Sequence, residues 1–278
     1  MTGRDAARGP PRGPPRGALA SGPMQRPDPV RPWSPADGPV RLAEAYAYPD
    51  SGPWLRANMI SSLDGAATRD DRSGGLGGDA DRRLFRLLRG LADAVVVGAG
   101  TVRAEGYGPV RPGGDGWDGL RAGRPPAPPL AIVSHALDLD FDAPVFTEAE
   151  PDARTIVLTT EAADPGRVRA ARERADVIVA GRDLLDFRSA FEALNERGLR
   201  RLLCEGGPGV LAQITAAGLL DELCLTLSPM LVGGASPRIL QGPPVAVTAD
   251  LRPVQILESE GFLLLRYVRR PDGASPRA

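Results

Sequence analysis

Residues 200–218 read RRLLCEGGPGVLAQITAAG, and the fold turns on how this stretch is understood. Leu202, Leu203 and Cys204 make an apolar run suited to a buried strand, with Glu205 at its carboxyl end. Gly206 and Gly207 follow. Pro208 then fits a first helical position, where its preset φ helps and its missing N–H costs nothing. Leu211, Ile214 and Leu219 recur at roughly helical spacing, and Gly218 is placed to end the helix. Strand, two glycines, helix is an arrangement that lets backbone N–H groups approach an anion at the positive end of a helix dipole. A Gly pair at such a junction is more often only a tight turn. Its reading as a pyrophosphate site therefore leans on the rest of the chain.

Upstream, the β-branched run 94–97 enters Gly98-Ala99-Gly100-Thr101-Val102, a second strand–glycine–helix junction. Arg103 stands where the dinucleotide fingerprint has its third glycine, so the match to a standard Rossmann turn is poor. Around these junctions, strands over 130–133, 155–160 and 177–180 alternate with helices over 165–174 and 187–197. Crossovers of that length imply a mainly parallel sheet covered on both faces, an α/β fold in three layers. Strands over 222–228, 254–259 and 262–269 have no helices between them, so antiparallel pairing should finish the sheet. Earlier still come a short helix over 40–48, a strand over 54–61 and the turn Ser62-Leu63-Asp64-Gly65. A helix follows, capped by Asp79 or a neighbour, whose Leu84, Leu87, Leu88 and Leu91 form an apolar stripe. Residues 106–129 read as a long Gly- and Pro-rich loop, the kind that is functional or mobile.

Composition narrows the chemistry. The chain has 278 residues and a net charge of −1, which gives no pointer to nucleic acid or anionic lipid. All 34 basic residues are Arg, so no lysine Schiff base or P-loop is available. Two cysteines, Cys204 and Cys224, make no disulfide framework and read as buried, inert thiols, which suits a cytoplasmic protein. With His135 the only histidine and no C-x-x-C, no metal site is expected. No apolar run reaches membrane-spanning length. Residues 1–38 and 272–278 read as disordered tails, the first basic and rich in Pro, Gly and Arg, leaving one domain over 39–271.

Four ordered motifs then carry a resemblance: N-M-I-S-S-L-D-G (58–65), A-D-A-V-V-V-G-A-G-T-V (92–102), C-E-G-G-P (204–208) and G-L-L-D-E-L-C-L-T-L-S-P-M-L-V-G-G (218–234). In order and spacing they resemble the reductase half of the riboflavin-biosynthesis protein RibD, over about residues 50–270. The stand-alone pyrimidine reductase-like proteins of actinobacteria are the nearest in pattern. The resemblance implies a dihydrofolate-reductase-like fold, NADPH as hydride donor and a homodimer built through the sheet edge. It also implies the reaction, reduction of 5-amino-6-(5-phosphoribosylamino)uracil to its ribityl counterpart. Gly98, Gly100, Thr101, Val102, Gly206 and Gly207 are the implied cofactor cradle, with Ser134 by the 2′-phosphate and Thr159 and Thr160 at the adenine end. Ser62, Asp64, Asp81, Arg82, Arg111 and Glu205 are the implied substrate contacts, and Glu205 and Asp81 the implied catalytic pair.

There are departures. Asn58 replaces the family lysine, Glu105-Gly106-Tyr107 replaces D-D-P, and His135 stands where relatives often have Arg. These keep two other readings open: a reductase of dihydrofolate or another C=N heterocycle, and a non-catalytic NADP-binding protein. Asp221 and Glu222 read as surface charge at a strand start. No deaminase motif (H-x-E with P-C-x-x-C) is present.

Overall fold

The computed structural model describes residues 31–32, 38–113, 117–242 and 249–270. In chain order the strands are β1 (Arg31–Pro32), β2 (Trp54–Ser62), β3 (Ala94–Gly98), β4 (Leu130–Val133), β5 (Ile156–Thr159), β6 (Asp176–Val179), β7 (Arg201–Cys204), β8 (Glu222–Ser228), β9 (Leu251–Ser259) and β10 (Phe262–Arg269). The helices are α1 (Gly38–Ala45), α2 (Asp79–Leu91), α3 (Ala99–Glu105), α4 (Trp117–Leu120), α5 (Pro144–Thr147), α6 (Pro165–Arg174), α7 (Phe187–Glu196) and α8 (Pro208–Ala216).

All strands join one sheet in the order β1-β9-β10-β8-β2-β7-β3-β4-β5-β6. The seven from β8 to β6 are parallel, and β10 pairs antiparallel with both β8 and β9. This is the mainly parallel sheet with antiparallel final strands that the spacing of elements implies. Period-2 alternation sends successive strand residues into two different cores. Val95, Val97, Ile132 and Leu203 pack with Leu84, Leu87 and Leu88 of α2, while Ala94, Val96, Ala131 and Leu202 pack with Phe187, Phe191, Leu194 and Leu211 of α7 and α8. Arg31 and Pro32 pair with Leu257 and Glu258 of β9, so two residues of the segment read as a tail add to the sheet edge. Residues 1–30 and 271–278, which carry most of the two tail readings, lie outside the described residues. Among the described residues no helix is long and apolar enough to cross a membrane.

The cap of α2 is Gly78, the neighbour of Asp79, with Asp79 and Asp81 in the first turn and no side-chain cap bond. Two readings need correction. Residues 106–113 and 117–129 are more tightly held than a Gly/Pro-rich loop suggests. Trp117 is 4 % exposed and its indole N–H donates to the Pro126 carbonyl, while Arg121 and Arg124 donate to carbonyls at the end of α2. The second correction concerns Glu222, which is wholly buried rather than at the surface. Arg56 Nε and Arg266 Nε reach its Oε1 at 2.7 and 2.8 Å, and Trp54 donates to Oε2 at 2.9 Å. Burial opposes ionisation, but the two guanidiniums hold the Glu222 pKa below the usual carboxylate range. Asp221 accepts the Leu55 N–H at 2.8 Å. Local pattern cannot report this, because the partners are more than 40 residues away on other strands.

Removing the shared carboxylate would leave Arg56, also fully buried, without its counter-charge. Glu222→Ala is expected to cost about 3–5 kcal/mol of stability, read from the denaturant midpoint at unchanged m-value. A cost below about 1 kcal/mol, the scale of a surface ion pair, would refute the structural role.

Candidate active site

The site arises where two strands part. Trp54–Ala57 of β2 pair with Arg201–Cys204 of β7, whereas Arg56–Ser62 continue alongside β8 to its end. Beyond Ala57 the β2–β7 ladder stops. The chain after β7 follows β3 instead: the Glu205 N–H donates to the Val96 carbonyl and the Gly98 N–H to the Gly206 carbonyl. A crevice therefore opens at the carboxyl ends of parallel strands, the place where α/β sheets bind ligands.

One wall is formed by the two glycine elbows. The Gly206–Gly207 peptide is cis, and Gly206 has φ +86°, a conformation that excludes most side chains. A Cβ on Gly207 would lie 2.6 Å from Thr101 Oγ1, and one on Gly98 would lie 3.0 Å from Val210. The elbows are thus bare backbone by necessity, and Gly100 beside them faces open space. These residues fit a dinucleotide cradle, in which backbone must come close to the ligand. Val102 is 7 % exposed and packs in the core. Ser134, Thr159 and Thr160 are buried at the ends of β4 and β5, and Thr159 Oγ1 donates to the His135 carbonyl at 3.4 Å.

The other wall is α2. Asp81, Phe85 and Arg89 recur every fourth residue and form one half-buried stripe. Arg89 clamps Glu205 through Nε–Oε1 and Nη2–Oε2 bonds, both 2.7 Å, and Tyr107 donates to the same carboxylate at 2.8 Å. The guanidinium also stacks 4.1 Å from the Phe85 ring centre. Burial alone would lower the Arg89 pKa, but Glu205 and Tyr107 raise it. Burial, then Glu205, raises that of the Tyr107 phenol. Glu205 thus stands where the sequence places it, and protein donors meet its burial cost. Burial pushes the Asp81 carboxyl pKa up, with Thr226 and Arg82 opposing. Thr226 is near enough to temper that shift, yet its fully buried hydroxyl completes no hydrogen bond. Asn58 Oδ1, buried on β2 one residue past the parting of the strands, also has no partner.

Other expected contacts are placed differently. Ser62 Oγ bonds Asp64 and accepts the Ala66 N–H, and Asp64 accepts the N–H groups of Val232 and Gly233. The Ser62 hydroxyl, then these backbone donors, holds the Asp64 pKa down to about 2. The pair lashes the turn 62–65 to the loop 230–233. Arg82 and Arg111 are not on the stripe: each is more than half exposed, and they pair with Asp79 and Glu148. Sequence reasoning missed Arg89 and Phe85, although their i+8 and i+4 spacing from Asp81 carried the signal. It noticed Tyr107 and Asn58 only as departures. Thr226 gave no signal by itself.

Comparison with known proteins gives the family. The RibD C-terminal domain model matches residues 53–262, most of the chain. The chain belongs to the RibD C-terminal domain family. A family relative from Methanothermobacter thermautotrophicus, named 2,5-diamino-6-ribosylamino-4(3H)-pyrimidinone 5′-phosphate reductase, is 31 % identical over 188 residues, 68 % of this chain and 83 % of that protein. A protein of the same name from Archaeoglobus fulgidus is 27 % identical over 78 % of this chain and 99 % of its own. A crystal structure of a pyrimidine reductase-like protein from Corynebacterium diphtheriae superposes with a TM-score of 0.71 and 32 % identity, covering 79 % of this chain and 93 % of that one.

The glycine elbow gives a direct test. Gly207→Ala, which forces a methyl group against Thr101, is expected to raise the Kd for NADPH about tenfold, roughly 1.4 kcal/mol, at unchanged far-UV circular dichroism. Unaltered affinity in fluorescence titration would remove Gly207 from the cradle.

Proposed function

We propose that this protein is an NADPH-dependent reductase of a 6-(ribosylamino)pyrimidine 5′-phosphate in riboflavin biosynthesis. The observation that carries the reading is the Asp81–Phe85–Arg89 stripe lying across the strand parting from the bare glycine elbows. The names of the relatives specify a 2-aminopyrimidinone; the resemblance of the motifs implies the uracil form. The two differ at ring position 2.

When bound, NADPH supplies the hydride that reaches C1′ of the opened, imine form of the ribosylamine, while the exocyclic nitrogen gains a proton. Gly98, Gly206 and Gly207 hold the cofactor by backbone, which suits any pyrophosphate bridge. Asp81 sits where burial favours its protonated form, so it holds a proton at the ring edge nearer neutrality than an exposed carboxyl. Asn58 Oδ1, buried without a partner, supplies an acceptor for the heterocycle, since such an atom is costly until a ligand meets it, and the buried Thr226 hydroxyl stands beside Asp81. Glu205 fixes Arg89 and Tyr107 in place. Arg82 and Arg111, held only by surface ion pairs of little strength, are the cations available to the 5′-phosphate. Tyr107, at one of the altered positions, completes the bonding of Glu205 and Arg89, which favours a working site over a retired one.

We also propose a homodimer. Leu225 and Leu227 of β8, Leu263 of β10 and Ile256 of β9 share one sheet face by register, are partly exposed and belong to neither core. A second copy is the economical cover for such a patch. The two buried free cysteines suit a reducing cytoplasm, burial raising the Cys204 pKa to about 12.

The purified protein is expected to oxidise NADPH with one or both pyrimidine phosphates and not with dihydrofolate; the reverse pattern overturns the reading. Asp81→Asn is expected to lower kcat/KM at least about tenfold. The raised Asp81 pKa gives a stability contribution that is complete below the unfolded carboxyl pKa and lost as pH rises through the folded one. The variant should therefore melt higher than the parent at pH 7, with the gap closing as pH falls toward 4, the ordinary carboxyl range; a parent that melts higher at pH 7 contradicts it. Sedimentation velocity should show a dimer that Leu225→Asp dissociates, and a monomeric parent at micromolar concentration excludes it.

A further inference from the structure

The amino-terminal end of the sheet, opposite the crevice, carries charge that the reductase reaction does not use. A cavity of about 570 Å³ opens there, beneath the amino ends of β3, β5, β6 and β7. At roughly 3.3 Å per strand residue it lies on the order of 15 Å from the glycine elbows. Five guanidiniums and three carboxylates line it, a local surplus of two positive charges in a chain whose net charge is −1.

The carboxylates are already engaged or peripheral. Asp93 accepts the backbone N–H groups of Arg200 and Arg201 and ion-pairs with Arg124 and Arg201. Asp176 faces Arg154 at 3.6 Å, and Asp152 is exposed. Arg121 has no such partner among the described residues. It is 4 % exposed and donates only to the carbonyls of Gly90, Ala92 and Pro125. Burial, then the neighbouring Arg124 and Arg201 against the opposing pull of Asp93, pushes its pKa down to about 10. A buried guanidinium held by neutral acceptors, beside two others of like charge, lacks a counter-ion. Arg197, exposed at the mouth, likewise donates only to a carbonyl, that of Ala193.

We propose that this cavity is a second ligand site, for a small di- or polyphosphate such as the pyrophosphate arm of a nucleotide. Planar guanidiniums converging from three chain segments match phosphoryl oxygens in bidentate fashion better than they match a monocarboxylate. The volume lies within the range of small-molecule pockets. Pro125, Pro129 and Pro151 stiffen its walls, so little order is lost on binding. Its place at the strand amino ends separates it from the catalytic crevice.

Calorimetric titration of inorganic pyrophosphate into the full chain, saturated with NADP+ so that the cofactor cradle is filled, tests this. One site per chain with a Kd of about 1 mM or tighter is expected, weakened at least tenfold in Arg154→Gln/Arg197→Gln. Both substituted residues lie outside the core, and an unchanged melting midpoint verifies the fold. Pyrophosphate should also shift the Arg197 and Arg201 Nε–H resonances of the unmutated protein, a readout that holds even if the variant fails to fold. No binding, or binding that leaves those resonances and the variant's affinity unaltered, overturns the proposal. Turnover is not needed. Should NADP+ itself fail to bind, the reductase reading falls alone and the same titration without it still decides the cavity.

Discussion

The buried Arg56–Glu222–Arg266 cluster is the constraint on which the rest of the structure depends. It joins β2, β8 and β10, the strands where the parallel half of the sheet meets the antiparallel half. A one-residue slip of β2 would turn Arg56 to the opposite face and leave Glu222 uncompensated. Charge thus fixes register here more sharply than apolar packing could, since Leu, Ile and Val on either face tolerate exchange. Register in turn sets the point at which β2 abandons β7.

That parting creates the crevice, and α2 gives it chemistry. The apolar stripe of Leu84, Leu87 and Leu88 presses the helix onto the sheet, which obliges Asp81, Phe85 and Arg89 to flank the opening. Arg89 and Tyr107 answer the Glu205 carboxylate from inside the protein. Asn58 and Thr226 are left unanswered. An unpaired buried polar atom is costly unless a ligand or water meets it.

The chain meets every cationic need with arginine, and the consequences differ with place. At Glu205 and Glu222 the planar fork gives paired, charge-assisted bonds. At the amino-terminal end of the sheet Arg121 and Arg124 close the carbonyl end of α2 and anchor the segment after Trp117. Because a guanidinium stays charged even when its partners are carbonyls, that anchoring concentrates positive potential in a cavity remote from the hydride site.

Much of this was written in local pattern. The run from Leu202 to Gly218 showed strand, elbow and helix because hydrophobic period, Pro at a helix start and Gly at its end are short-range effects. The alternation of strands and helices announced a parallel sheet for the same reason, and the ordered motifs announced the family. What the sequence could not decide was which charges meet. Glu222 looked like a surface residue because Arg56 and Arg266 lie far along the chain. Arg89 meets its partner only where β7 brings Glu205 beside it. Long-range ion pairs and unpartnered buried atoms are products of strand order and register, and those exist only once the sheet has closed.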